Sequence, residues 1–279
     1  MYITTLADQP QFFNSTVQLI EKNFQYTPPF KFACDFFPLL TRTNHINNHI
    51  LLEGDILIGH IGVCLRIWGD KKVAFIGGIA IAEKYQRQGH FKTLMNHVLT
   101  HYEDKCDTFL LWSDLHSMYE KYGFTAHEGL IQTGELAFEK PHLYEESSWE
   151  KLEDHEWIQI QNLYEIMSKD FLTLKRNSQD WKNIKQISST RLFLKRNADG
   201  KILGYFCLGK GQDLTDIIHE IGFASEEIKL KLYNKLGMFK LWLPQSEKKY
   251  FNEAQDLILA LVRGKLPEGK LYLSGLDSI

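Results

Sequence analysis

The chain has 279 residues, of which 44% are hydrophobic and 24% are charged, so it can bury the core of one large domain or of two ordinary ones. Its 32 basic and 35 acidic residues give a net charge of -3 without any block of like charge, which argues against a nucleic-acid-binding protein. We expect a cytoplasmic protein without membrane contact, because the sequence has no signal-peptide pattern, no apolar run of roughly 18 residues and four widely spaced cysteines with no zinc or disulfide pattern.

Strand and helix patterns alternate along the first half of the sequence. The predicted elements are a strand at residues 1–6, a helix at 10–23, an aromatic-rich segment at 23–40 broken by prolines, and apolar runs at 49–69 and 71–82. Turn signals at Gly54 and Gly69 divide these runs into a meander of strands. A helix at 91–102, an apolar strand at 108–112, a short helix at 117–124 closed by Gly123, and a strand at 131–138 complete this half.

A polar, acidic segment at residues 142–157 separates two halves, and we place the boundary between residues 1–145 and 146–279. The second half resembles a faded copy of the first. Residues 201–209 correspond to 56–64, residues 216–227 to the strand and turn before the first-half helix, and residues 239–242 to 109–112. Chance similarity between short apolar strands is the alternative. Residues 271–279 are predicted to form the last strand, with Asp277 and the terminal carboxylate on the acceptor side.

The stretch AEKYQRQGHFKTLM, residues 82–95, places Gly89 where an apolar strand becomes a helix. The unpaired N–H groups and partial positive charge of a helix N-terminus suit a phosphate, and glycine lets the backbone approach the anion closely. An ordinary strand-to-helix turn is the alternative for a lone glycine. The corresponding junction of the second half, GFASEE, has no glycine-rich turn and brings Glu226 and Glu227 instead.

The order of strand, QRQGHF turn, helix, apolar strand and tyrosine helix resembles the GCN5-related N-acetyltransferase (GNAT) superfamily. Its acetyl-CoA turn, Q/R-x-x-G-x-G/A, matches at Gln86 and Gly89 and departs at Phe91, which replaces a small residue. The resemblance implies an α/β fold with a mixed, mostly antiparallel central sheet flanked by helices. It also implies acetyl-CoA as cosubstrate and no metal. The implied pantetheine contacts are Ile79, Ala80 and Ile81, and the implied phosphate cradle is Gln86, Arg87, Gln88, Gly89, His90, Phe91 and Lys92.

A second signature, LWSDLHSMYEKYGF at residues 111–124, resembles the YxxxGF segment of the same superfamily. It implies that Tyr119 lies near the cofactor sulfur as a general acid, because a departing thiolate needs a proton or a hydrogen bond. A core tyrosine on a short helix is the alternative. Together with the degenerate second half, this signature resembles Eis-type acetyltransferases, so we expect two GNAT-like halves in tandem.

The strand before the phosphate turn carries no carboxylate, so the general base has to come from elsewhere. A free amine with a pKa near 10.4 must lose a proton before it attacks. Asp114 and Asp35 are the candidates, and their alternatives are a helix cap for Asp114 and a surface position for Asp35.

Several further side chains carry weaker predictions. The aromatic-rich segment is expected to border the acceptor site through Phe30, Phe32, Asp35 and Phe36, where it would suit an apolar, aromatic or flat cationic amine; plain core is the alternative. His97 and His101 have a metal-ligand spacing but no third ligand, so no metal is expected. Glu220 lies in an apolar run and requires a partner or a functional role if it is buried.

The sequence therefore predicts an N-acetyltransferase that moves an acetyl group from acetyl-CoA to an amine of a small molecule or peptide by direct attack. Two alternatives stay open. The protein is a non-catalytic acyl-CoA sensor, or it is a transferase with a longer acyl donor or an aminoacyl acceptor. The acceptor and the oligomeric state are not readable from the sequence.

Overall fold

A computed structural model of the chain describes residues 1–134, 144–236 and 239–279, which form a single twelve-stranded sheet flanked by helices. The strands are β1 (Tyr2–Thr5), β2 (Asn48–Glu53), β3 (Ile56–Trp68), β4 (Lys71–Ile81), β5 (Thr108–Leu111), β6 (Thr125–Thr133), β7 (Glu145–Ser147), β8 (Arg191–Arg196), β9 (Ile202–Leu208), β10 (Ile217–Phe223), β11 (Lys240–Pro244) and β12 (Ala254–Gly264). The predicted strand at 131–138 thus begins earlier, at Thr125, and its residues 135–138 lie outside the described residues.

The helices lie on both faces of the sheet. They are α1 (Phe13–Asn23), α2 (Phe32–Asp35), α3 (Phe37–Leu40), α4 (His90–Tyr102), α5 (His116–Glu120), α6 (Asp154–Asp170), α7 (Ser178–Ile184) and α8 (Glu226–Leu236). No helix among the described residues is long and apolar enough to cross a membrane.

The two faces of the first-half sheet bury separate apolar clusters. Because successive strand residues point to opposite faces, Ala74 and Ile76 pack with α4, whereas Val73 and Phe75 pack with α1–α3. The α4 cluster also contains Tyr119, and the α1–α3 cluster also contains the last residue, Ile279. We call these the α4 face and the α1 face.

The strand order shows the internal repeat directly. From one edge the sheet runs β1-β2-β3-β4-β5, from the other β7-β8-β9-β10-β11, with β12 and β6 in the middle. The parallel pair β4–β5 therefore corresponds to the parallel pair β10–β11. This correspondence matches the three sequence repeats, because β9, β10 and β11 take the places of β3, β4 and β5.

The two central strands are exchanged between the halves. β6 follows the first half in sequence but pairs with β11, and β12, from the C-terminal half, pairs with β5 and β6. Each half therefore completes its sheet with a strand from the other. The boundary at residue 145 divides the sequence, but strand pairs with hydrogen bonds connect the two parts of the sheet across it.

The prediction of a final strand at residues 271–279 is wrong. The segment forms only a bridge from Leu271 to Leu172 and a 3-10 turn over Gly275–Asp277. The last strand is β12, which the apolar run LILALV fills. The ladder of β12 with β5 ends at Gly264, and residues 271–279 lie against β10 instead, where the Tyr272 hydroxyl donates to the carbonyl of His219.

Candidate functional site

β4 and β5 separate partway along their length, and this opens the sheet. Their pairing runs from Val73 with Thr108 to Phe75 with Leu110, whereas β4 continues to Ile81. Within the described residues, β4 has no strand partner on that side beyond Phe75. Its free backbone N–H and C=O groups can pair with an extended ligand that carries amides, as an unpaired strand edge does elsewhere.

A bulge in β4 lies beside this opening. The pairing with β3 shifts register between His60 and Gly62, and Gly78 adopts a φ of +58° that disfavours other residues. The Nδ1 atom of the buried His60 donates a hydrogen bond of 2.7 Å to the carbonyl of Gly78 and holds the bulge in place. The bulge re-aims the backbone of residues 79–81, which the sequence assigned to pantetheine.

The turn between β4 and α4 has the geometry of an anion site. Arg87 and Gly89 both have left-handed backbones, with φ of 60° and 88°, and Gly89 is the N-cap of α4. No side chain caps this helix, its first turn carries no acidic residue, and a Cβ at Gly89 would meet nothing within 4 Å. The amides of His90, Phe91 and Lys92 are therefore free to face an anion in open space, where the helix dipole favours it.

Side chains of the turn stabilise this shape or add positive charge. The Nε2 of Gln86 donates to the carbonyl of Ile81 (3.1 Å), and the Nε2 of Gln88 donates to that of Lys84 (2.8 Å). Arg87 and Lys92 are exposed and form no ion pair within the part of the chain that the structure describes. These two cations remain available to a phosphate.

The corresponding helix of the second half lacks such a site. α8 begins with Glu226 and Glu227, and Glu226 forms a 2.7 Å ion pair with Lys229. The pairing of β10 with β11 ends at Ile218 and Leu241. The C-terminal segment covers the gap between the two strands beyond this point. There the Tyr272 hydroxyl donates to the carbonyl of His219 (2.9 Å).

Tyr119 lies at the opening in the sheet, on the side of the α4 face. Its ring is only 5% exposed and packs against Phe91 and Phe124, with ring centroids 5.8 and 6.1 Å away. Burial raises the pKa of Tyr119 to about 12, although a hydrogen bond with Ser113 acts in the opposite direction. The phenol therefore keeps its proton at neutral pH and can donate it.

The ring of Phe91 points away from the phosphate turn. Phe91 is half-buried and also contacts Tyr122, at 5.6 Å between ring centroids. The residue that departs from the superfamily turn thus forms part of the packing that orients Tyr119, and its backbone amide stays at the helix end.

One cavity of about 1190 Å³ joins these features across the sheet. Of the predicted residues it is lined by Ile79, Ile81, Gln86, Arg87, Gly89, His90, Phe91, Lys92, Tyr119, Asp114, Phe32 and Phe36. Ala80, Gln88, Phe30 and Asp35 are not among its lining residues. The structure therefore brings the turn, the tyrosine and part of the aromatic segment to one space.

The two general-base candidates differ in environment. Asp114 is exposed to the cavity and does not cap α5, whose N-cap is Leu115. Asp35 is 1% exposed rather than on the surface, and burial raises its pKa. A Cβ at Gly211 would come within 2.9 Å of both the Asp35 Oδ2 and the Tyr26 hydroxyl, so Asp35 belongs to the contact between the halves.

Sequence reasoning missed most of the part of the cavity that the second half supplies, although it expected the terminal carboxylate on the acceptor side, and Ile279 does line the cavity. This part contains Asp213 and Leu214 from the β9–β10 loop, Trp242 from β11, and Ser278 and Ile279 from the C-terminal segment. The main chain of Ile279 lies 3.0 Å from the position of a Cβ on Gly77, directly over the bulged part of β4. No local signal identifies Asp213, Leu214, Trp242 or Ser278, because contacts between remote segments of the chain bring them here.

A buried lysine holds the C-terminal segment in the cavity wall. The Nζ of Lys210 donates to the carbonyls of Gly275 (2.8 Å) and Ser278 (2.6 Å), and lies 4.6 Å from the Phe36 ring centroid. Its side chain is fully buried, and burial lowers its pKa to about 7.

An ion-pair network anchors the same segment from below. The fully buried Arg176 bonds both oxygens of Glu220 and both oxygens of Asp277, and Arg66 adds a 3.2 Å bond to Asp277. Glu220 is therefore paired, as its burial required. The expectation that Asp277 contributes to the acceptor side is wrong: it is 2% exposed, ion-paired, and outside the cavity lining.

His97 and His101 pack against His49, with the Nε2 of His97 3.2 Å from the Nδ1 of His49. No group of three or more potential metal ligands occurs among the residues that the structure describes.

Comparisons with known proteins agree with this geometry. Residues 13–124 match the sequence profile of the acetyltransferase (GNAT) family. None of the curated proteins compared with the chain matches it in sequence.

Several solved structures share the fold over almost the whole chain. A GCN5-related N-acetyltransferase from Kribbella flavida matches 99% of this chain and 72% of its own, with a TM-score of 0.64 and 12% identity. Eis1 from Mycobacterium abscessus matches 95% and 74%, with a TM-score of 0.59 and 14% identity. A tandem GNAT protein from the clavulanic acid biosynthesis pathway matches 96% and 99%, with a TM-score of 0.55 and 11% identity. At these identities the likeness concerns the fold, and it confirms the predicted tandem GNAT architecture.

Proposed function

We propose that the protein is an acyltransferase that moves an acetyl group from acetyl-CoA to an amine, since residues 13–124 match the acetyltransferase (GNAT) family. The observation that carries this proposal is the single cavity that connects an uncapped helix N-terminus, through the gap between β4 and β5, to a buried and protonated tyrosine. Each part suits one portion of acetyl-CoA: phosphates at the helix end, pantetheine along β4, and the sulfur near Tyr119.

We assign the binding roles to the predicted residues that line the cavity. The amides of residues 89–92 and the cations Arg87 and Lys92 would hold the pyrophosphate. The backbone of residues 79–81 would pair with the pantetheine amides, as a neighbouring strand would. Gln86 and Gln88 act indirectly, because their side chains bond the turn itself.

The transfer then needs one proton donor and one proton acceptor. As the amine nitrogen bonds to the acetyl carbon and the carbon–sulfur bond breaks, the Tyr119 hydroxyl gives its proton to the departing thiolate. An acceptor that binds as an ammonium first gives one proton to water or to Asp114, the cavity carboxylate closest in sequence to Tyr119, and so frees the nitrogen lone pair for attack. The second N–H proton, released as the amide forms, returns to the Tyr119 oxygen. The product is an amide and free CoA thiol.

We further propose that residues 1–145 form the catalytic half and that residues 146–279 form a degenerate half that walls the acceptor side. The covered gap between β10 and β11 and the acidic start of α8 support one cofactor site per chain.

The test measures both CoA binding and thiol release from acetyl-CoA with a panel of primary amines. A valine at Gly89 strains a backbone with φ of +88° and places methyl groups where the anion would lie, so we expect Gly89→Val to abolish CoA binding. Gly200→Val is the matched control, since Gly200 has a φ of +81° and open space around it, far from the turn. Equal CoA affinity in both folded variants would contradict the assignment of the phosphate cradle to this turn. CoA binding without thiol release with any amine would favour the non-catalytic sensor.

A further inference from the structure

The cavity continues past Tyr119 onto the α1 face, where its wall is almost entirely apolar. We call this part the acceptor chamber and define it by Phe36, Trp112, Leu214, Trp242, Leu259 and Ile279. Trp112 stacks against Phe75 with ring centroids 5.8 Å apart, and Phe75 belongs to the α1-face cluster. The chamber therefore lies on the opposite side of the opening from the phosphate turn. A second substrate of the proposed transfer would enter here.

Two tryptophans give the chamber rigid aromatic surfaces without free polar groups. The indole N–H of Trp112 donates to the carbonyl of Leu259 (2.8 Å), and that of Trp242 donates to the Oε1 of Gln132 (3.1 Å). Both rings are thereby fixed, and their only polar atoms are already used. Such surfaces pack best against a flat apolar group.

The hydroxyl groups at the chamber are also used within the protein. Ser274 donates to Glu220, and the Oγ of Ser278 donates to the Gly275 carbonyl (2.7 Å) while it accepts from Lys210 (3.1 Å). A sugar-like acceptor with many hydroxyl groups would find few hydrogen-bond partners here. Its hydroxyl groups would stay unpaired, which costs binding free energy in a closed site.

The charges of the cavity are divided between its two ends. The basic residues of its lining, Arg87, His90 and Lys92, lie at the phosphate turn, whereas its side-chain carboxylates are Asp114 and Asp213. Asp213 is exposed to the cavity and makes no hydrogen bond or ion pair among the described residues. The side-chain carboxylates of the cavity attract a cation, and Lys210, whose Nζ lies 4.6 Å from the Phe36 ring centroid, adds the opposite charge when it is protonated.

The loop that carries Asp213 is fixed to the opposite half. The Nε2 of Gln212 donates to the carbonyl of Phe24 (3.1 Å), and its Oε1 accepts from the amide of Thr27 (3.2 Å). Asp213 is thus held at the aromatic segment rather than free to swing into solvent.

We infer that the acyl acceptor is a primary amine on a flat, apolar body, which binds as a cation at Asp213 with its body against Trp112 and Trp242. This inference rests on the proposed acetyl transfer and goes beyond it, because it assigns the acceptor class and the residues that select it.

The test uses three probes, namely 2-phenylethylamine, n-propylamine and D-glucosamine, whose binding to the CoA complex is measured by calorimetry and whose acetylation is measured by thiol release. We expect 2-phenylethylamine to bind most tightly and to have the highest kcat/KM. Asp213→Asn should raise its Kd and KM about tenfold, on the scale of one hydrogen bond to a charged group, and leave the KM for acetyl-CoA unchanged. Asp216→Asn, on the same loop but outside the cavity lining, should change neither.

A second variant distinguishes the contribution of the Trp242 ring to binding from that of the Asp213 charge. Trp242→Leu should reduce the preference for 2-phenylethylamine over n-propylamine, whereas Asp213→Asn should weaken both amines alike. Tighter binding of D-glucosamine, or unchanged amine binding in Asp213→Asn, would overturn the inference. If 2-phenylethylamine binds in an Asp213-dependent way but no amine is acetylated, the acceptor chamber is supported and the proposed acetyl transfer fails.

Discussion

At the scale of single residues, packing keeps Tyr119, the proposed proton donor, in its protonated form. Phe91 and Phe124 bury the ring, and this burial keeps the pKa of the hydroxyl near 12. A phenol with that pKa is fully protonated at neutral pH, so it can give a hydrogen bond or its proton to the sulfur as the carbon–sulfur bond breaks. Phe91, which departs from the superfamily turn, thus has a role in the arrangement of the donor.

We expect Tyr119→Phe to retain acetyl-CoA binding and to lower turnover by about 10²–10⁴, the usual contribution of a general acid. Tyr122→Phe is the control, since Tyr122 contacts the same Phe91 ring and lies outside the cavity lining. The measurement is kcat under conditions where chemistry limits the rate. A Tyr119→Phe enzyme as fast as Tyr122→Phe would exclude the proton-donor role.

Lys210 gives a second prediction at this scale, concerning pH and stability. Burial lowers its pKa from 10.5 to about 7, so between these values the unfolded chain binds a proton that the folded chain lacks. The free energy of unfolding should therefore rise with pH through this window, and Lys210→Met should remove part of the rise. Urea unfolding at pH 7 and pH 9.5 measures it, with exposed Lys201→Met as control. An identical slope in both variants would contradict the assignment.

At the scale of elements, the two parallel strand pairs, β4–β5 and β10–β11, both separate along their length, but only one of the two gaps is open. The gap between β4 and β5 stays open and leads to an uncapped helix, whereas the C-terminal segment covers the gap between β10 and β11. That segment is anchored by Arg176, whose guanidinium lies between two carboxylates and 3.8 Å from the Tyr164 ring centroid. Burial alone would raise the pKa of Asp277, but Arg176 and Arg66 hold it below its usual value.

We expect Arg176→Met to lower the free energy of unfolding by about 3–5 kcal/mol, because it leaves Glu220 and Asp277 buried without their counter-ion. Arg196→Met, which removes a partly exposed arginine paired with Glu145 and Glu156, should cost at most about 1 kcal/mol. Denaturant titration of both variants measures the difference. Equal losses would show that the network does not anchor the segment.

At the scale of the whole molecule, the exchange of β6 and β12 makes the two halves interdependent. Each half completes its sheet with a strand from the other, and the wall of the cavity is built from both. The degenerate half therefore has two structural tasks: it supplies β12 to the first half and delivers Asp213 and Ile279 to the cavity.

We predict one CoA per chain. The first turn of α8 carries Glu226 and Glu227, which repel a pyrophosphate, the Ser225 hydroxyl accepts from the amide of Ile228 (3.4 Å), and the neighbouring gap is covered. Calorimetric titration of the full chain with CoA should give a stoichiometry of one, and Gly89→Val should reduce it to zero. Two molecules per chain, or one that persists in Gly89→Val, would refute the division between the halves.

Local patterns determined much of this protein in advance. The period of the apolar residues predicted α4 and the strands of the meander, because one buried face repeats every 3.6 or every two residues. The turn at Gln86 to Gly89 and the tyrosine segment were readable because each resembles a short motif of the GNAT superfamily, and a glycine where a helix starts is a local feature of the first. The repeat was readable as well, since equivalent strands keep equivalent apolar runs.

Only the tertiary structure decided which distant segments share the site. Strand exchange depends on pairing between remote segments, and the residues of an apolar strand do not specify its partner. The position of β12 and the conformation of residues 271–279 therefore did not follow from their residues. Asp277 resembled a site carboxylate until Arg176 was seen beside it. Asp213 and Trp242 gave no signal in sequence, because their neighbours in space come from the other half of the chain.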